Sequence, residues 1–163
     1  MQWCGDHAAD FARVVLVNTS AANLSRPWKR MDLRVVPDVA RALVSRDPVA
    51  RERLILSVVT KLQTDLSPIA EAWARVQEDR PVARTTVLRQ LWAASRFRAP
   101  QRLAMPTLIV AAARDSLTDP SCPRRLAGHF HAPIEVHPLA GHELALDDPA
   151  WLAKVVASWV TPA

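Results

Sequence analysis

Three short, mostly apolar runs punctuate a chain whose other hydrophobic positions mostly recur at helical spacing. The first, Val14-Val15-Leu16-Val17, follows Arg13 and ends in Asn18-Thr19-Ser20, so residues 13–18 read as a strand buried on both faces. The second, Thr107-Leu108-Ile109-Val110-Ala111-Ala112, is introduced by Met105-Pro106. The third, Ile134-Glu135-Val136-His137, is bracketed by Pro133 and Pro138. Buried strands separated by helical stretches predict an α/β protein with a parallel sheet.

Helical patterns fill the rest. Residues 2–10 look like a short opening helix. Residues 37–46, 48–61, 68–78 and 81–97 each begin with proline, which suits the first turn of a helix. In the last of these, Val87, Leu88, Leu91 and Trp92 fall at helical spacing and predict one apolar face. So long a helical segment between two strands exceeds a crossover helix and reads as a lid. Asp119-Pro120 caps a helix running to about residue 130, and Asp148-Pro149 opens a terminal helix with Trp151, Leu152, Val155, Val156, Trp159 and Val160 on one face. The expected organisation is a core helix and strand (1–20), a helical lid insertion (21–104) and a C-terminal core of about two further strands (105–163).

Composition narrows the classes. The 163 residues are 50% hydrophobic and 23% charged, which is globular rather than disordered. A net charge of +5 invites a nucleic-acid partner, but the arginines are scattered and no basic groove interleaved with aromatics is apparent. Solvated helix faces explain them, and no nucleic-acid partner is expected. No apolar run reaches the roughly 18 residues of a span, so no membrane partner is expected either. The N-terminal residues carry no signal-peptide pattern. Cys4 and Cys122 form neither a disulfide framework nor a zinc spacing, which favours a reducing cytoplasm. His129, His131 and His137 read as helix-end and strand residues rather than metal ligands, and no cofactor is expected.

Two loops carry the chemistry. Ligands of open α/β sheets bind beyond the carboxyl ends of strands. Residues 113–120 follow the second strand and hold Asp115; residues 138–144 follow the third and hold Gly141-His142. An aspartate after one strand and a histidine after the next can pair, the carboxylate fixing the imidazole tautomer and leaving the other nitrogen as a base. Asp119 is a rival acid, but its place before Pro120 marks it as a helix cap.

These features resemble the C-terminal part of the α/β-hydrolase superfamily. In order they are a strand ending in Asn-Thr-Ser, a helical lid, Arg114-Asp115 before a helix, and Gly141-His142 before a terminal amphipathic helix. The resemblance covers essentially the whole chain. It implies a partial α/β-hydrolase fold and a Ser-Asp-His mechanism acting on a small apolar or aromatic ester-like substrate, with Asp115 as acid and His142 as general base. The family's nucleophile elbow, G-x-S-x-G, is absent: the only glycines are Gly5, Gly128 and Gly141. The chain is therefore expected to lack the early strands, the elbow serine and the oxyanion-hole loop, and to be inactive alone. Ser20 and Ser116 sit on no strand-to-helix elbow, and Asn18, an amide, cannot replace the acid. Trp28, Met31, Trp73, Trp92 and Met105 lie in or beside the lid, where they line a pocket or pack; packing is the preferred role for Trp73 and Trp92. The alternative function is a non-catalytic remnant or interaction module whose first strand pairs with a second copy or a complementing N-terminal half. Nucleic-acid binding through the basic lid ranks third.

Overall fold

A computed structural model describes residues 1–161. Three parallel strands form one open sheet in the order β1 (Val14–Val17), β2 (Thr107–Ala112), β3 (Ile134–His137). The register sets Val14 beside Thr107 and Ile109 beside Ile134. β2 is central and wholly buried. Alternate residues point to opposite faces. Leu108, Val110 and Ala112 pack with Ala140 and Leu144 beneath Trp151, Leu152, Val155 and Trp159, while Ile109 packs with Leu126 and Ala127 on the other side. An uninterrupted apolar run is what such two-sided cover requires.

β1 departs from the sequence expectation. Only Val14 is buried, and Val15, Leu16 and Val17 are half-buried. The cause is position: β1 is an edge of the described sheet. At the N-terminus, α1 (Gln2–Asp6) and a separate 3-10 turn (Ala8–Asp10) replace the single helix expected over 2–10, because the non-helical backbone of His7 (φ −133°, ψ 58°) separates them.

Five helices lie between β1 and β2: α2 (Pro27–Arg30), α3 (Val36–Val44), α4 (Pro48–Val59), α5 (Ser67–Asp79) and α6 (Arg84–Arg96). α4 packs against both α3 and α5. Its start is built as the sequence predicts, with Pro48 in the first turn and the Asp47 carboxylate accepting from the Val49 and Ala50 N–H groups. α6 corrects two expectations. It begins at Arg84 and leaves Pro81 in the preceding loop. Its apolar face also splits: Val87 and Leu91 turn inward and are half-buried, whereas Leu88 and Trp92 are 55% and 62% exposed. No residue of α6 is fully buried, so Trp92 is not a lid-packing residue. Val87 and Leu91 border a hollow of about 300 Å³ shared with α3 and α4.

The remaining helices hold the sheet from both sides. α7 (Ser121–Phe130) covers one face and ends at His131, whose left-handed backbone (φ 51°) stops the helix. α8 (Leu144–Asp147) is a single turn after the third strand. α9 (Pro149–Val160) covers the other face, and Asp148 caps it by accepting from the Trp151 N–H. Val160, expected on the apolar face, is exposed at its end. No described helix is long and apolar enough to cross a membrane.

Candidate active site

The carboxyl ends of β2 and β3 bring Asp115 and His142 together. Asp115 is only 3% exposed and His142 26%. The loop after β2 folds back so that Asp115 Oδ1 accepts from the Leu117 and Thr118 N–H groups, each at 2.8 Å. An aspartate accepting from backbone two and three residues ahead makes a tight local turn. Its second oxygen is thereby left aimed outward, and His142 Nδ1 lies 2.8 Å from it. A carboxylate only accepts, so Nδ1 carries the proton and Nε2 carries the free lone pair. Among the described residues, no hydroxyl bonds to that Nε2.

Three residues that the sequence reading assigned no such role hold the histidine loop. Asn18, at the end of β1, has a left-handed backbone (φ 44°), a conformation asparagine tolerates better than most residues. Its Oδ1 accepts from the Ala112 N–H at 2.7 Å, and its Nδ2 donates to the carbonyl of His142 at 2.7 Å and of Gly141 at 3.3 Å. One amide thus ties the ends of β1 and β2 to the turn that carries the imidazole. Asp147 accepts from Gly141 N–H at 2.6 Å and from the N–H groups of Lys61 and Leu62, which joins that turn to the residues after α4. His137 is buried; its Nδ1 accepts from the N–H groups of Leu139 and Ala140, so Nε2 is protonated and donates to Asp148 at 3.2 Å. The signals were present: Asn18 ends a strand, His137 ends another, and Asp147 precedes a capping aspartate. The partners of Asn18, and the Lys61 and Leu62 partners of Asp147, lie far along the chain, where no local pattern pairs them.

Gly141 is required for space rather than for an unusual φ. A Cβ there would lie 2.7 Å from the Val59 carbonyl oxygen and 3.1 Å from the Thr60 carbonyl carbon. The same approach lets the Glu143 N–H donate to Val59 at 2.8 Å. The histidine turn is therefore clamped from β1, from the end of α4 and from α8.

The other candidates fall elsewhere. Asp119 accepts from the Ser121 N–H and pairs with Lys29 at 2.6 Å, so it serves as a helix-start and ion-pair residue. The Lys29 ammonium holds its carboxyl down at about 2. Ser20 Oγ accepts from Arg30 Nε at 3.4 Å. Burial pushes the Cys122 thiol up, which keeps it protonated and unreactive, and both cysteines are free and buried. His129 bonds to the Pro100 carbonyl at 2.8 Å. Among the described residues, no group of three or more His, Cys, Asp or Glu is arranged to hold a metal.

No family model and no curated protein matches the chain. Solved structures do. A hydrolase from Pseudomonas aeruginosa superposes with a TM-score of 0.71 at 23% identity, covering 98% of this chain and 59% of its own. An α/β-hydrolase-fold protein from Chitinophaga pinensis gives 0.65 at 12% identity, covering 99% and 60%. The fold is a partial α/β-hydrolase fold. A thermophilic esterase from Thermogutta terrifontis shares it with a TM-score of 0.62 at 17% identity, covering 91% of this chain and 55% of that one. The chain thus spans about three fifths of the length of the α/β-hydrolase-fold structures it matches.

Proposed function

We propose that this chain carries the acid and base of a Ser-Asp-His hydrolase acting on small apolar or aromatic carboxylic esters, with the serine supplied by polypeptide other than these residues. The observation that carries this is the buried Asp115 carboxylate 2.8 Å from Nδ1 of a histidine whose Nε2 is free. In the complete site His142 Nε2 takes the serine proton as the hydroxyl oxygen attacks the ester carbonyl. Asp115 stabilises the imidazolium, which then gives its proton to the departing alcohol. Water, deprotonated by the same nitrogen, releases the acid and restores the serine. Residues 21–104 act as the lid over this edge of the sheet, and the setting is cytoplasmic.

Two measurements test the reading. The chain alone, without an elbow serine, gives only background turnover of a short p-nitrophenyl ester; turnover abolished by His142→Ala would place a nucleophile within it and refute the division of labour. In a longer form encoding G-x-S-x-G upstream in frame, Asp115→Asn lowers kcat by about 10⁴-fold through the wrong histidine tautomer. Unchanged turnover there removes Asp115 from the mechanism.

A second reading has its own support in the half-buried edge strand β1. An unpaired strand edge is a template for another strand. On this reading the chain is a non-catalytic module that completes its sheet with a second copy or a complementing N-terminal half. Monomeric sedimentation at high concentration counts against the second copy.

A further inference from the structure

Outside the Asp115–His142 site, the least expected surface is α6. From Arg80 to Arg114 the chain contains no acidic residue. Arg80, Arg84, Arg89, Arg96, Arg98 and Arg102 are all exposed. The nearest acids in sequence, Glu78 and Asp79, end α5 and precede this stretch. Leu88 and Trp92, four residues apart, stand side by side on the outward face, 55% and 62% exposed. At about 100° per residue, Arg84 flanks this pair on one side and Arg89 and Arg96 on the other. The Arg96 guanidinium lies 4.3 Å from the Trp92 ring centroid. The helix is held at its ends: Arg30 donates to the Ala94 and Ser95 carbonyls, and Arg84 donates to the Ser45 carbonyl at 3.4 Å.

We propose that α6 is a peripheral docking surface for an anionic lipid interface. A leucine and a tryptophan left in water beside Arg89 and Arg96 are the composition of a helix lying in the headgroup region: the apolar pair enters, and these guanidiniums meet lipid phosphates. Charge decides the kind of surface, since a helix that carries three arginines and no acid of its own is attracted to anionic lipid and gains little from a neutral one. A nucleic-acid backbone would use the arginines but leave Leu88 unburied. The sequence expectation of no membrane partner considered spanning segments, and surface binding needs none. The proposal requires no turnover, and it needs the outward face of α6 to stay uncovered where further polypeptide completes the site.

The test is co-sedimentation of the chain with vesicles of phosphatidylcholine alone and of mixed phosphatidylcholine and phosphatidylglycerol. Binding is expected to the mixed vesicles, weakening with added salt. Arg89→Gln with Arg96→Gln lowers it by about thirty-fold, and Leu88→Ser with Trp92→Ser by at least about tenfold. These positions are exposed, and circular dichroism verifies that the variants keep their helix content. In the unsubstituted chain, brominated acyl chains quench tryptophan emission, and the quenching falls in Trp92→Phe. No binding to mixed vesicles, equal binding to neutral ones, or unchanged quenching in Trp92→Phe overturns the proposal. So does duplex DNA binding that survives Leu88→Ser, or a dimer, without vesicle binding, that Leu88→Ser dissolves.

Discussion

Removing the Asp147 carboxylate tests the clamp on the histidine turn most directly. Asp147 is buried, and its two oxygens accept from Gly141 N–H at 2.6 Å, Lys61 N–H at 2.9 and 3.1 Å, and Leu62 N–H at 3.1 Å. Asp147→Ala leaves three backbone donors without an acceptor. Each buried, unsatisfied donor costs about 1–3 kcal/mol. Lys61 and Leu62 are exposed, so water replaces most of what they lose; Gly141 is buried and bears the full cost. The expected destabilisation is about 3 kcal/mol, a substantial part of the about 5–15 kcal/mol that holds a typical domain folded. With a urea slope near 2 kcal/mol/M, the midpoint falls by about 1.5 M. Tryptophan fluorescence in urea reads the midpoint, and amide exchange at Gly141 reads the local loss. Asp147→Asn keeps one accepting oxygen and should fall between the two. A midpoint shift below about 0.5 M together with unchanged Gly141 exchange would refute the clamp.

Gly141→Ala drives a methyl group against the Val59 carbonyl oxygen, 2.7 Å away, and the Thr60 backbone, 3.1 Å away. It costs about 1–3 kcal/mol, and at about 2–4 °C per kcal/mol for a chain of this size calorimetry should show Tm falling by about 2–12 °C. Asn18→Gly keeps the left-handed backbone unstrained but removes all three clamping bonds, so exchange of the His142 Nδ1 proton, followed by NMR, should quicken while Asp115 is untouched. Asp119→Asn should destabilise by at most about 1 kcal/mol at neutral pH, because Lys29 and Asp119 are both partly solvated. The sign follows from a carboxyl lowered to about 2 in the folded chain. Its contribution is full above the unfolded value near 4 and vanishes as pH falls to about 2, so the two urea midpoints should converge across that window.

The amino-acid sequence determined the local elements and the chemistry at their ends. β2 and β3 begin and end where the sequence pattern puts them, but only β2, whose six residues are all buried, is covered on both faces; β3 is an edge strand of the described sheet with Glu135 exposed. Pro48 and the Asp148-Pro149 pair mark helix starts through the fixed proline φ and the capping carboxylate, both properties of neighbouring residues. Asp115 and His142 were legible because each follows a strand of one parallel sheet, whose carboxyl ends share an edge. Tertiary structure alone decided the rest. α6 shows the limit most plainly: periodicity places Val87, Leu88, Leu91 and Trp92 on one face, but only the neighbours of a helix determine how much of that face is covered, and here half of it meets water. The same holds for β1, whose apolar run is compatible with a central strand and which lies instead at the edge of the described sheet. Asn18 bonds across more than 90 residues of chain to Ala112 and across more than 120 to Gly141 and His142. Such contacts depend on how distant segments meet, and no local pattern encodes that.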